Sequence, residues 1–133
     1  VIYDFLNKLE KNSSELIVLG NGKQQKPYLY IDDLLIAIDC IYEKTKNKVN
    51  YFNVAANSDT TVSEIAKIII SKLNLKETKI VFTGGDRGWI GDVPKFKYDI
   101  SKVKSLNWKP KYTSNQAVEL SVEKEIQYRK NNL

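Results

Sequence analysis

The chain has 133 residues, 42 % hydrophobic and 11 % aromatic, which suffices for one ordinary domain with a core and excludes a disordered tail. Its net charge of +5 could suit nucleic acid, but 19 of the 21 basic residues are lysines scattered along the chain; with no arginine-rich run or recognition-helix motif, general nucleic-acid binding is not expected. One cysteine and no histidine exclude an internal disulfide, a zinc or redox site and a histidine-based hydrolytic centre, and fit a reducing cytoplasm; no metal-binding residue is identified.

The chain starts at Val1 and contains no methionine, which reads as a processed or excised piece. No window approaches the roughly 18 apolar residues of a membrane span, and Val1 to Ser14 carries charges where a signal peptide would be apolar. Val1, Ile2, Phe5, Leu6 and Leu9 have amphipathic-helix spacing. Leu16 to Leu19 reads as a buried strand running into the Gly20-Asn-Gly22 turn. Tyr28 to Ile31 reads as a second extended segment after Pro27, which cannot donate a ladder hydrogen bond. Asp32 or Asp33 is the expected cap of a helix whose face is Leu34, Ala37, Ile38, Ile41 and Tyr42.

After the polar Lys44 to Asn50 linker, Tyr51 to Ala55 reads as a buried strand, and Thr61-Val-Ser-Glu64 is a capping box opening a helix to about Leu73. Lys79 to Phe82 suggests another strand, and Asp99 to Leu106 a short helix ended by Asn107, which tolerates the left-handed conformation. Thr113 to Arg129, with Gln116 at the capping-box position, reads as the last helix. Strands alternating with helices make an α/β protein.

All six glycines fall in two loops, Gly20 to Gly22 and Gly84 to Gly91, where a main chain can approach a ligand closely. Arg87, Trp89 and Asp92 crowd into the second. Arg87 is one of two arginines in a lysine-rich chain, and a guanidinium can hold two diphosphate oxygens at once; the alternative is an ion pair with Asp86 or Asp92. Asp92 suits vicinal hydroxyls or caps the turn before Pro94, and Trp89 stacks on a ligand or plugs the loop into the core. Lys26 could face the same anion as Arg87 or simply be solvated. Trp108 reads as a core anchor, Arg129 as a surface residue that suits the dipole at the C-terminal end of the last helix, and Cys40 as a packing or surface residue. Neither loop has P-loop spacing, and Gly20-Asn-Gly22 lacks the third glycine of a dinucleotide fingerprint.

In order, Gly20-Asn-Gly-Lys-Gln-Gln-Lys-Pro-Tyr-Leu-Tyr-Ile-Asp-Asp33, Tyr51-Phe-Asn-Val-Ala55, Gly85-Asp-Arg-Gly-Trp-Ile-Gly-Asp-Val-Pro94, Asp99-Ile-Ser-Lys102 and Leu106-Asn-Trp-Lys-Pro-Lys-Tyr112 resemble the C-terminal half of UDP-glucose 4-epimerase and its relatives, the NAD-dependent epimerases and dehydratases of the extended short-chain dehydrogenase type. The resemblance implies an α/β piece in which residues 33–55 supply the last Rossmann helix and strand, while 1–32 and 56–133 form most of a small substrate domain. It implies that Ile17, Val18 and Leu19 lie beside a uracil, that Lys26 stands where relatives carry a diphosphate-binding arginine, that Arg87 is the second phosphate contact, and that Asp92 holds the ribose.

It further implies a cytoplasmic, homodimeric parent that acts on a UDP-sugar with bound NAD. No catalytic residue, NAD-binding strand-turn-helix or catalytic Tyr-x-x-x-Lys pair is identified here; Tyr98 and Lys102 have that spacing in the wrong region. A piece without its N-terminal Rossmann half is expected to bind neither NAD tightly nor turn over substrate. The alternative is a non-catalytic nucleotide-binding or protein-interaction module.

Overall fold

The computed structural model describes residues 1–132. Helix α1 (Ile2–Lys11) leads into β1 (Glu15–Val18), β2 (Gln25–Lys26), α2 (Ile31–Lys44), β3 (Thr60–Thr61), α3 (Val62–Lys72), β4 (Lys79–Phe82), α4 (Ser101–Lys104) and α5 (Ser114–Asn132). β1 pairs with β4 in parallel, Leu16 opposite Ile80 and Val18 opposite Phe82, and β2 pairs with β3 antiparallel.

A first cluster joins Phe5, Leu6 and Leu9 of α1, Leu16 and Val18 of β1, Ile65, Ala66 and Ile69 of α3, and Val118 and Val122 of α5. Residues three and four apart put each helix's apolar groups on one stripe, so three stripes close over one face of the small sheet. β1 is therefore half-buried rather than wholly buried as the sequence suggested: Leu16 and Val18 point inward while Ile17 and Leu19 are exposed, the ordinary period of a strand.

The capping box forms as read. Thr61 Oγ1 accepts the Glu64 N–H at 3.1 Å, and the Glu64 carboxylate accepts the Thr61 N–H at 2.7 Å. Those hydrogen bonds hold the Glu64 carboxyl below its ordinary range even though partial burial opposes them. We expect Thr61→Ala to lower stability by about 1 kcal/mol, the usual worth of an N-cap, as measured by urea unfolding. The second capping motif also forms, with the Thr113 N–H donating to Gln116 Oε1 at 2.9 Å, and Asn107 takes φ +63° beyond α4.

Expectations for four further parts of the chain are corrected. The extended pairing falls at Gln25–Lys26, not Tyr28 to Ile31, because β3 offers partners only there. α2 then begins at Ile31 with Tyr30 as N-cap, so neither Asp32 nor Asp33 caps it. Asp33 is instead buried, and its carboxylate accepts the N–H groups of Lys111 and Tyr112 at 3.0 and 3.2 Å. The expected clean face of α2 is covered only at Ala37 and in part at Leu34 and Ile41, leaving Ile38 and Tyr42 exposed.

Third, Tyr51 to Ala55 is not a strand, because a strand exists by pairing and no described strand pairs with it. Ala55 instead joins a second cluster with Ala37, Ile100, Val103 and Trp108. Fourth, Arg129 is no loose surface group. Its guanidinium donates to Glu125 at 2.8 Å, to Glu10 at 2.7 Å and to Asn7 at 2.8 Å, tying α5 to α1. Among the described residues, no helix is long and apolar enough to cross a membrane.

Candidate functional site

Because β1 and β4 are parallel, their carboxyl ends lie side by side, and each runs into a glycine loop. Crevices at the carboxyl ends of parallel strands are where open α/β sheets receive ligands. The loops touch: the Gly84 N–H donates to the Gly20 carbonyl at 3.0 Å, and the Gly20 N–H to Thr83 Oγ1 at 2.9 Å. Gly20 has φ +81° and Gly22 φ +74°, backbone that only glycine adopts without strain. A Cβ on Gly20 would lie 2.9 Å from the Arg87 carbonyl oxygen, so the missing side chain is what lets the loops meet.

The cavity beside this junction holds about 460 Å³ and is lined by Leu19, Gln24, Lys26, Tyr28, Trp89 and Asp92, with Val1 and, from α1, Asp4, Phe5 and Lys8 as a further wall. Thus Leu19, Lys26, Trp89 and Asp92 are brought together as the sequence suggested. Ile17 stands exposed next to Leu19, whereas the Val18 side chain is fully buried in the first cluster and its carbonyl accepts the Thr83 N–H of β4 at 3.0 Å, so Val18 is not brought to the cavity with the others. Trp89 is 67 % exposed and covers the mouth rather than plugging the core.

Lys26 is not a solvated default residue. Its Nζ lies 3.0 Å from Asp92 Oδ1, while Asp92 Oδ2 accepts the Gly88 N–H at 3.3 Å. Burial alone would raise the Asp92 carboxyl, but the Lys26 and Gly88 hydrogen bonds and the charges of Lys26 and Arg87 outweigh it and hold the carboxyl below its ordinary range. Burial, and then the negative charge of Asp92, pushes the Tyr28 phenol up. Arg87 forms no ion pair with Asp86 or Asp92; among the described residues, its side chain's one hydrogen bond reaches the Ile90 carbonyl at 3.4 Å. Arg87 is not among the residues that line the cavity, but a guanidinium so lightly held can engage an incoming anion.

Sequence reasoning missed Gln24, Tyr28 and the α1 wall. Gln24 could have been noticed beside the first glycine loop; α1 gave no signal, since its polar residues read as a solvated face. Gln24 is buried, and its Nε2 donates to the Leu19 carbonyl at 3.3 Å.

It also missed that Gly85-Asp-Arg-Gly88-Trp-Ile-Gly91 has the letter spacing Gly-x-x-Gly-x-x-Gly. The surroundings do not fit a dinucleotide. Residues 93–100 form no helix, and α4 begins only at Ser101, so the helix N-terminus that would face a pyrophosphate is lacking. Lys102 donates to the Tyr51 carbonyl at 2.7 Å and lies over the Phe52 ring, while Tyr98 packs on Phe96, away from this cavity.

A family model described as GDP-mannose 4,6 dehydratase matches residues 1–120. The chain is 29 % identical over 118 residues to a putative UDP-glucose 4-epimerase of Methanocaldococcus jannaschii, covering 89 % of this chain and 36 % of that protein. It is 30 % identical over 121 residues to a dTDP-glucose 4,6-dehydratase of Xanthomonas campestris, covering 81 % and 32 %.

Among solved structures, a UDP-galactose 4-epimerase superposes with TM-score 0.79 at 28 % identity, over 96 % of this chain and 40 % of that one. A UDP-glucose 4-epimerase of Thermotoga maritima, solved with UDP-glucose, gives 0.75 at 27 % identity, over 99 % and 40 %. The chain thus spans between 32 % and 40 % of these relatives' lengths. With the fold, the paired glycine loops and the match over residues 1–120 in agreement, the chain belongs to the family of NAD-dependent nucleotide-sugar epimerases and dehydratases that the GDP-mannose 4,6 dehydratase model describes.

Proposed function

We propose that this chain is the sugar-nucleotide-binding part of an NAD-dependent UDP-sugar epimerase of the UDP-glucose 4-epimerase kind, inactive by itself. The observation that carries the reading is the Lys26–Asp92 pair in the cavity where the two glycine loops meet, with Arg87 near enough for its charge to lower the Asp92 carboxyl. In this reading the Arg87 guanidinium takes two diphosphate oxygens, and Lys26 adds a point charge beside them. Asp92 accepts ribose hydroxyls with lone pairs not used by Lys26 and Gly88. The main-chain N–H groups of Ile17 and Leu19, on the open edge of β1, face the base, and the Trp89 indole lies across it.

NAD belongs to the intact parent, and no residue described above is assigned to it. The reading is tested by calorimetry with UDP at moderate salt. We expect the folded chain to bind UDP and Arg87→Ala to weaken binding by about tenfold or more, the order of a lost charge-assisted contact. A folded chain that ignores UDP at millimolar concentration overturns the proposal.

A further inference from the structure

The open edge of β1 forms one wall of the cavity, and its hydrogen-bonding character can be read from the strand register. The Lys79 N–H donates to the Ser14 carbonyl and the Thr83 N–H to the Val18 carbonyl, so even-numbered residues of this strand turn their main-chain groups toward β4. Alternation then turns the carbonyls of Ile17 and Leu19 toward the open edge. Both are already taken. Lys8 Nζ donates to the Ile17 carbonyl at 3.2 Å, and Gln24 Nε2 donates to the Leu19 carbonyl at 3.3 Å.

Lys8 reaches its carbonyl from α1, steadied by Asp4 at 2.8 Å, and both Lys8 and Gln24 line the cavity. An ammonium has three N–H groups and no acceptor. With one N–H on Ile17 and one on Asp4, the third is left for a ligand. The Gln24 amide oxygen is buried without a partner, inside the wall rather than on its surface. A bare strand edge presents N–H donors and carbonyl acceptors alike; with the carbonyls of Ile17 and Leu19 covered by Lys8 and Gln24, the N–H groups are left and the edge becomes a donor surface.

Resting on the reading of this cavity as a nucleotide site, we propose that Lys8 and Gln24 set the base specificity. The site takes nucleoside diphosphates whose base turns a keto oxygen toward β1, as uracil, thymine and guanine can. It rejects bases that turn an amino group there, as cytosine does, because two donors would then face each other.

UDP and CDP, which differ at one base edge, test this by calorimetry on the full chain. Wild type is expected to bind UDP about tenfold or more tightly than CDP, the order of one charge-assisted hydrogen bond. Lys8→Met should bring the ratio below about threefold on the same scale, while Lys8→Arg, which keeps charged donors, should preserve it. Equal binding of UDP and CDP by wild type overturns the inference and leaves the nucleotide site standing, as does a Lys8→Met chain that keeps the full preference. Failure of the folded wild type to bind either nucleotide overturns the nucleotide site itself, and the base specificity with it.

Discussion

Trp108→Ala is expected to cost about 3–5 kcal/mol of folding stability, the range for truncating a buried tryptophan. Trp108 is 5 % exposed and shares its cluster with Ala37, Ala55, Ile100 and Val103. Two of those neighbours are alanines, which have no side-chain length with which to fill the space left behind, so the transfer loss and the cavity term should both appear. A loss of that size is a large share of the roughly 5–15 kcal/mol that holds a typical domain together. The measurement is the urea midpoint by tryptophan-independent circular dichroism. Trp89→Ala is the control: 67 % exposed, it should move stability by less than about 0.5 kcal/mol. A Trp108→Ala chain within 1 kcal/mol of wild type, on the scale of ordinary surface changes, would show that the second cluster is not a stabilising core.

The elements legible in the sequence were those specified locally. α3 and α5 announce themselves by capping boxes and α1 by its stripe, and all three form as read. β1 and β4 were legible as short aliphatic runs because each is followed by glycine. What failed was whatever depends on a distant partner. The second strand slides to Gln25–Lys26 because Thr60–Thr61 is its only described partner, and Tyr51 to Ala55 pairs with nothing described. Asp33 looked like a cap because its acceptors' true donors, the Lys111 and Tyr112 N–H groups, lie far along the chain.

The same division holds at the candidate site. Arg87, Trp89 and Asp92 were legible as unusual residues in a glycine loop, and Lys26 through resemblance. Lys8 and Gln24 were not. Their significance is the carbonyl each donates to across space, and neither residue type nor spacing carries that information. Arg129 fails for a similar reason: the helix-dipole argument is local, whereas Glu10 and Asn7 on α1 make it an interhelical tie.

Gly20→Ala should both destabilise the fold and remove UDP binding, and the comparison with Gly84→Ala separates the two effects. Both glycines lie at positive φ, +81° and +87°, so either substitution meets backbone strain of about 1–2 kcal/mol. Only Gly20 is crowded. Its added Cβ would stand 1.9 Å from Gln24 Nε2 and 2.9 Å from the Arg87 carbonyl oxygen, whereas a Cβ on Gly84 would meet nothing within 4 Å. The glutamine end can swing aside at the loss of its bond to Leu19. The Arg87 carbonyl is main chain, and moving it shifts the whole segment that carries the guanidinium and Asp92.

Gly84→Ala is therefore expected to lower the urea midpoint while keeping UDP affinity within about threefold of wild type, since small side chains away from ligands seldom couple to binding. Gly20→Ala should lower the midpoint further and weaken UDP at least as far as Arg87→Ala does, because it displaces both the arginine and the glutamine. Should Gly20→Ala bind UDP like wild type, the contact between the glycine loops is not what places Arg87. The cavity would then owe its shape to the Lys26–Asp92 pair alone.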